Sequence, residues 1–276
     1  MVTNNKGLYV ITGATDAMGR VISRRLAAQG RAVVMACYNV EKSHKFAQEL
    51  QAETGNPDIT TLHLDLGSFA SVKNFVKELR SLGRPVKTLI NNASYISHHS
   101  EKSPDGYEKL VQVNFLSTVL LSQLTQELME EGGSIIFTTS LTRNLVSLPY
   151  EFPAVNNFMP IAAFAQSKLA LTLFSIYMST VLRSRHINVN CVDAGIINLS
   201  MARVNRWFEK FDILITRRDK TEVGARTMMR AIESNDTGFL FKGQDRQIKI
   251  SQLLKNREVF AKLCTDTMRV MKKHLE

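Results

Sequence analysis

The chain has 276 residues, of which 44% are apolar and 22% are charged. This length and composition are typical of one large globular α/β domain with a substantial core, and they exclude a disordered or low-complexity chain. The net charge is +10, and from Met201 onwards 17 basic side chains stand against 10 acidic ones. We interpret this excess as the solvated face of C-terminal helices. Attraction to an anionic substrate, a lipid headgroup or a nucleic acid is the alternative.

The N-terminal sequence has neither the basic region nor the apolar region of a signal peptide, and no uninterrupted apolar run approaches the roughly 18 residues of a membrane span. Cys37, Cys191 and Cys264 are odd in number and far apart, so they fit neither a disulfide framework nor a zinc site. The basic C-terminal part contains no recognised nucleic-acid-binding motif. We therefore predict a cytoplasmic protein with no membrane span, no metal and no nucleic-acid partner.

Short apolar runs alternate with helical patterns along the chain. Strands are predicted at 8–12, 32–38, 59–66, 86–92, 133–140 and 187–195. Helices are predicted at 17–29, 41–53, 68–82, 104–129 and 162–184, and a basic helical segment at 251–276. Ser68 and Ser103 are the predicted N-caps of the third and fourth helices, and Pro104 would occupy the first helical position of the fourth.

Strands that are almost continuously apolar and alternate with helices predict a parallel sheet covered on both faces. Because crossovers between parallel strands are right-handed, the predicted fold class is α/β, a doubly wound, Rossmann-type sheet in three layers. The sequence shows no repeat or linker, so a single domain is expected over 1–276.

The first strand-to-helix connection, TGATDAMG at 12–19, is rich in small residues. Such a turn directs backbone N–H groups and a helix N-terminus towards a ligand, which suits a dinucleotide pyrophosphate. Gly13 permits a tight turn, and Gly19 permits close packing of the helix on the strand. The methyl group of Ala17 crowds the phosphate side.

Six further segments resemble, in the right order, the motifs of the short-chain dehydrogenase/reductase family, whose TGxxxGxG turn is similar to TGATDAMG. LDL (64–66) resembles the adenine-binding site, and NNAS (91–94) resembles the NNAG segment. VNF (113–115) and IIFTTS (135–140) resemble the segments of the catalytic asparagine and serine, and DAGIINLS (193–200) the PGxxxT segment. FAQSK (164–168) resembles YxxxK, and the sequence looks most like the retinol-dehydrogenase-like branch.

The resemblance implies hydride transfer between NADP or NAD and a carbonyl or alcohol substrate. Ser140, Lys168 and Asn114 occupy family catalytic positions, whereas Phe164 stands where the family has its proton-donating tyrosine. Lys168 is also expected to contact the cofactor, because residues at i and i+4 share one helix face. The other cofactor contacts implied by the resemblance are Gly13, Thr15, Asp16, Ala17, Met18, Gly19, Tyr38, Asn39, Asp65, Leu66, Asn92, Ala93, Gly195 and Ile197.

The choice between NADP and NAD depends on the residues after the second strand. Cys37-Tyr38-Asn39 contains no acid to bind a ribose 2′-hydroxyl, and Lys42 follows closely, which favours NADP. Asp16 in the phosphate turn opposes this preference, because it repels a 2′-phosphate. The prediction is NADP or NAD, with a slight preference for NADP.

Loss of a general acid costs about 10²- to 10⁴-fold in rate, so Phe164 leaves two functions open. One is an oxidoreductase with an impaired or rearranged proton donor. The other is a nucleotide-binding pseudoenzyme with a regulatory or scaffold role. The substitute donors considered are Tyr95, His98, His99 and Tyr150.

The stretch around 199–222 resembles the family's mobile lid over the substrate. As a lid, its aromatic residues and arginines would imply an apolar substrate that carries an anionic group. An ordinary amphipathic surface helix is the alternative. A homo-oligomer is expected through the long helices 104–129 and 162–184.

Overall fold

The computed structural model describes residues 7–154, 158–193, 217–243 and 245–275, and for 217–220 the backbone alone. Eight strands form one sheet in the order β3-β2-β1-β4-β5-β6-β7-β8. They are β1 Leu8–Thr12, β2 Ala32–Cys37, β3 Ile59–His63, β4 Val86–Asn91, β5 Met129–Thr139, β6 Asn188–Asp193, β7 Phe239–Lys242 and β8 Arg246–Lys249. Neighbouring strands are parallel except β7 and β8, which form an antiparallel pair.

Helices connect the strands and cover the sheet. They are α1 Ala17–Ala28, α2 Val40–Thr54, α3 Phe69–Ser81, α4 Lys109–Val111, α5 Ser117–Thr125, α6 Pro160–Val181, α7 Arg217–Glu233 and α8 Arg257–Leu275. A π-helical turn, Gln112–Leu116, joins α4 to α5. Short 3-10 turns lie at Gln126–Leu128, Leu141–Leu145, Leu182–Arg185 and Ile250–Leu253.

The apolar side chains of the strands alternate between two cores, one on each face of the sheet. Leu8 and Val10 pack into the core formed with α3, α5, α6 and α8. Tyr9 and Ile11 point the other way, into the core formed with α1, α2 and α7. Because both faces are covered, the central strands β1 and β2 are buried along their whole length. The predicted doubly wound, three-layer fold is confirmed.

The predicted helix at 104–129 is wrong at both ends. The hydroxyl of Ser103 accepts the N–H of Tyr107 and bonds to Gln112, within a turn whose Gly106 has φ +86°. The helical stretch therefore begins at Lys109, where the Glu108 carboxylate accepts the N–H of Val111. At the other end, Met129 already belongs to β5.

The far edge of the sheet also differs from the prediction. The strands β7 and β8 were not predicted, since each has four residues, too few to show a clear period. Because β8 runs antiparallel to β7, the otherwise parallel sheet ends in one antiparallel pair at this edge.

The helix α6 is long and strongly apolar. Counted with its 3-10 extension as Pro160–Arg185, it is long and apolar enough to cross a membrane by length and composition alone. In the fold, 67% of its most apolar window is buried, as in the core helix of a globular protein. The expectation of no membrane-spanning stretch is therefore not supported.

The three cysteines are unpaired, and a cytoplasmic location stays a prediction.

The helix α8 packs over α5 and α6. Eight of the nine residues of α5 are buried within the single chain, and the Gln123 amide donates to the Met268 sulfur at 3.0 Å. The face of α5 is therefore covered by the chain's own α8. This contact does not support the predicted oligomer through 104–129, and oligomerisation stays a prediction.

Gly19 gives a test of the contact between α1 and the first turn. A Cβ at this position would lie 2.2 Å from the Gly13 carbonyl oxygen and 2.9 Å from the Ala14 Cα. Because both atoms are backbone, Gly19→Ala must move the turn, and we expect it to lower the free energy of unfolding by about 1–3 kcal/mol. Urea unfolding measures this loss.

The matched control is Ala28→Ser, which adds one atom at the exposed end of the same helix. It should change the free energy of unfolding by no more than about 0.5 kcal/mol. Equal losses in Gly19→Ala and Ala28→Ser would contradict the close approach.

Candidate active site

The turn between β1 and α1 presents an open helix N-terminus. Gly13 adopts φ +62°, a left-handed conformation that glycine allows at little cost, and its N–H donates to the Ala36 carbonyl. Asp16 precedes α1, but its carboxylate makes no capping hydrogen bond. The first N–H groups of α1, at Ala17, Met18 and Gly19, have no partner within the helix. This end of α1 is therefore suited to bind an anion.

A cleft of about 430 Å³ lies beside this turn, at the carboxyl ends of the strands. Its size is in the range of ligand-binding pockets. Eight of the predicted cofactor contacts line it: Gly13, Thr15, Asp16, Tyr38, Asn39, Asp65, Leu66 and Ala93. The cleft wall does not include Ala17, Met18, Gly19, Asn92 or Lys168 among the described residues. Gly195 and Ile197 lie outside the described part of the chain, as does most of the predicted lid.

Asn92 acts behind the cleft, where it ties β4 to the first turn. Its side-chain amide donates to the carbonyl oxygens of Thr12 and Gly13 at 3.1 and 3.2 Å. The backbone N–H groups of Asn92 and Ala93 both donate to the Thr12 hydroxyl. Asn92 therefore positions the turn, and its predicted direct contact with the cofactor stays a prediction.

The wall of the cleft on the β2 and β3 side carries polar groups. Oδ1 of Asp65 accepts the N–H of Gly67 at 2.7 Å, which fixes the carboxylate in the loop after β3. The Asn39 side chain caps α2 by accepting the N–H of Lys42 at 2.8 Å, and Tyr38 is largely exposed. Burial by the surrounding cleft raises the pKa of the Asp16 carboxyl, against the lowering effect of the Lys42 charge.

Asn114 joins the loop after β4 to α6. It lies in the π-helical turn, and its side chain forms two 2.7 Å hydrogen bonds with the backbone N–H and carbonyl of Tyr95. The same amide also donates to the Ser167 hydroxyl at 3.4 Å. These contacts make Asn114 a positioning residue within the described structure.

Ser140 lies at the end of β5, buried. Its hydroxyl oxygen accepts the N–H of Thr142 at 3.3 Å and the Thr142 hydroxyl at 3.1 Å. Because both bonds use the oxygen as acceptor, the Ser140 hydroxyl keeps its own proton available for donation. The side chain can therefore polarise a carbonyl oxygen.

A buried ion pair beside Ser140 was not predicted. Nη1 of Arg143 donates to the Asp193 carboxylate at 2.8 Å and to the Ser140 carbonyl at 2.6 Å. Both side chains are almost fully buried, at 1% and 4% exposure. Fifty positions separate the two residues, and no local pattern in the sequence connects them. The pair links the end of β5 to the end of β6 and holds the backbone of Ser140 in place.

Phe164 and Lys168 lie together on the inner face of α6. The Phe164 ring is buried in a small cluster with Leu110 and Ala163, against which Tyr95 packs. The Lys168 ammonium lies 5.7 Å from the centre of that ring and donates to the Thr138 carbonyl at 3.2 Å. Lys168 is 2% exposed, and burial lowers its pKa to about 8, although its interaction with Cys191 opposes the shift.

The substitute proton donors considered from the sequence lie elsewhere. The Tyr95 hydroxyl donates to Glu101 at 3.4 Å, and His98 and His99 are exposed. Tyr150 is half exposed and contacts α8, where the Lys262 ammonium lies 4.9 Å from its ring centre. Of these four residues, Tyr95 alone packs against the Phe164 cluster, and it does so with its ring.

Comparisons with known proteins agree with this architecture. A profile of the family described as short chain dehydrogenase matches residues 8–209. Polyprenol dehydrogenase of Homo sapiens is 30% identical over 207 residues, which are 72% of this chain and 63% of that protein. Retinol dehydrogenase 11 of Homo sapiens is 30% identical over 199 residues, 71% of this chain and 63% of that protein. The chain therefore matches less than two thirds of the length of these curated relatives.

Solved structures share the fold. A protein from Mycobacterium paratuberculosis superposes with a TM-score of 0.77 at 20% identity, over 98% of this chain and 96% of its own. A short chain dehydrogenase from Escherichia coli CFT073, complexed with NADPH, superposes with a TM-score of 0.68 at 20% identity, over 87% and 98%. The profile match, together with the polyprenol and retinol dehydrogenases, shows that the chain belongs to the short-chain dehydrogenase family, in its retinol-dehydrogenase-like branch.

Proposed function

We propose that this protein is an NADP- or NAD-dependent oxidoreductase that interconverts a carbonyl compound and an alcohol. The observation that carries the proposal is the arrangement along the carboxyl edge of the sheet. The open N-terminus of α1 and the cleft lie where the strand order reverses between β1 and β4. Ser140 and Lys168 lie at the adjacent end of β5. Open α/β sheets bind their ligands at such a switch point.

The residues present fit a dinucleotide. The α1 N-terminus can hold the pyrophosphate, and Asp65 lies where the adenine amino group is expected. The nicotinamide, when bound, supplies or accepts a hydride. Ser140 would donate its remaining proton to the carbonyl oxygen of the substrate, while Lys168 holds the ribose hydroxyls. Phe164 would form an apolar wall that excludes water and offers no proton.

An apolar substrate is supported by the surface between Ser140 and α6. Four of the eight large apolar side chains that are exposed in the described residues lie in this segment: Leu141, Leu145, Tyr150 and Met159. The relatives are named for polyprenol and retinol, both apolar isoprenoid alcohols. We propose a long-chain apolar alcohol or its aldehyde as the substrate class. The anionic group expected from the arginines of 199–222 stays a prediction.

The pseudoenzyme alternative is less favoured, because these relatives are named dehydrogenases. Phe164 nevertheless implies an impaired or rearranged proton donor, since a phenyl ring cannot exchange a proton.

The preference for NADP can be tested at Lys42, which lies on the cleft wall. We expect NADPH to bind more tightly than NADH. Lys42→Ala should raise the NADPH dissociation constant about tenfold, the effect of losing roughly 1.4 kcal/mol of attraction to the 2′-phosphate, and leave that of NADH unchanged. Fluorescence titration measures both constants.

The matched control is Lys45→Ala, which removes an exposed lysine of the same helix that does not line the cleft. It should change neither constant. Weaker binding of NADPH than of NADH by the unaltered protein would overturn the preference.

The activity can be tested by restoring a phenol on α6. Phe164→Tyr should raise the turnover of apolar aldehydes by about tenfold or more, because a general acid contributes about 10²- to 10⁴-fold. The Lys168 ammonium already lies 5.7 Å from the centre of the Phe164 ring, and it is bonded to the strand end that carries Ser140. Steady-state reduction of a panel of apolar and acidic aldehydes with NADPH measures the change.

Phe239→Tyr is the control, since it adds a phenol to a partly buried ring of β7 outside the site. It should leave turnover unchanged. If both the unaltered protein and Phe164→Tyr bind NADPH yet reduce nothing in the panel, the oxidoreductase function is refuted.

A further inference from the structure

We propose that Lys168 itself protonates the substrate oxygen, in place of the hydroxyl that Phe164 lacks. The inference rests on the proposed oxidoreductase function and identifies the group that donates the proton in that reaction.

The first argument is the incomplete hydrogen bonding of the Lys168 ammonium. An ammonium has three N–H groups, and this one makes a single hydrogen bond, to the Thr138 carbonyl, with the residues that the structure describes. Over the same residues it forms no ion pair with a carboxylate. Two protons are therefore left for a ribose hydroxyl and a substrate oxygen.

The second argument is position. Lys168 follows Phe164 by one helical turn, so both side chains lie on the same face of α6. The carbonyl that holds the ammonium belongs to Thr138, two residues before Ser140 on β5. The Ser140 hydroxyl and the Lys168 ammonium are therefore anchored to the same strand end. A substrate carbonyl oxygen that is polarised by Ser140 would therefore lie at the same strand end as the Lys168 ammonium.

The third argument is the acidity of the Lys168 ammonium, which burial increases. The pKa of Lys168 falls to about 8, close to neutral pH, where a general acid is most effective. Burial also raises the pKa of the nearby Cys191 thiol to about 11. The interaction of Cys191 with Lys168 opposes the fall of the Lys168 pKa, but burial has the larger effect. The other ionisable groups that neighbouring elements bring towards α6 are the Arg143–Asp193 pair, Tyr95 and the Lys109–Glu101 pair.

The proton balance is simple. In reduction, the hydride and its two electrons reach the carbonyl carbon, the C=O π pair moves to oxygen, and that oxygen takes a proton from the ammonium. Lys168 is left as a neutral amine and regains a proton from water. In alcohol oxidation the neutral amine accepts the hydroxyl proton while the hydride leaves to the oxidised nicotinamide.

The acidity of Lys168 can be tested without turnover. The folded ammonium loses its proton near pH 8, whereas the unfolded one keeps it to about 10.5, so the unfolded chain binds more protons between these values. Stability must then rise with pH across this window. The unfolding equilibrium constant of the unaltered protein should fall about 300-fold relative to Lys168→Met, the factor for 2.5 pKa units. A constant ratio from pH 7 to 10.5 would overturn the proposal.

The proton transfer itself is tested with Lys168→Arg, whose guanidinium keeps the charge but does not release a proton. We expect kcat for aldehyde reduction to fall about 10²-fold or more, while NADPH still binds. In the unaltered protein, kcat for reduction should fall as the pH passes about 8, and kcat for alcohol oxidation should rise. Adding Phe164→Tyr to Lys168→Arg should restore reduction and remove the break near pH 8, because the phenol then donates the proton.

Two control variants separate the loss of proton donation from a general effect of the substitution on the fold. Lys87→Arg exchanges a lysine that pairs with Glu130 at the opposite end of the sheet, and should leave kcat unchanged. Lys168→Met, which cannot donate a proton, should lose as much kcat as Lys168→Arg, even if the larger arginine disturbs packing. If Lys168→Arg retains full kcat, another group donates the proton and this inference fails while the oxidoreductase function stands. If the unaltered protein is inert while Phe164→Tyr is active, this inference fails alone. If both are inert, the oxidoreductase function fails with it.

Discussion

The hydrogen bonds between the ends of β1 and β4 hold the site together. At this point the strand order reverses and the two following loops separate, which opens the cleft. The Thr12 hydroxyl accepts the backbone N–H groups of the two residues that follow β4, Asn92 and Ala93. The Asn92 side-chain amide in turn donates two hydrogen bonds to the first turn. Because these groups are buried, losing one partner would leave the other without a hydrogen bond, at a cost of about 1–3 kcal/mol. The shape of the cleft therefore depends on this short network.

The second determinant of the site is an uncompensated charge. Lys168 is placed in the core of α6 without a carboxylate partner in the described residues, which is unfavourable for the folded state. Arg143 is also buried, but it is neutralised by Asp193. The two buried cations therefore have different roles. The paired one fixes the backbone of Ser140, and the unpaired one keeps an acidity that chemistry can use.

The sequence predicted the elements whose periodicity is strong and whose ends carry turn residues. It placed β1 to β6, α1 to α3 and α6 close to their observed bounds, and it identified Gly13 and Gly19 by the backbone geometry that they permit. The prediction from the sequence was wrong or incomplete where contacts between distant residues determine the local structure. The bonds of Ser103 to Tyr107 and Gln112 favour a turn over a helix. The Arg143–Asp193 pair joins distant positions, which no local pattern reveals.

The cover that α8 forms over α5 affects how the chain folds. Gln123 and Met268 are in contact although 145 positions separate them, so this part of the core closes over a very long loop. Contacts of such high order slow folding. During synthesis at about 5–20 residues per second, roughly 7–29 s pass between the synthesis of Gln123 and that of Met268. Throughout that interval the side chains of α5 that α8 finally covers lack this part of their core.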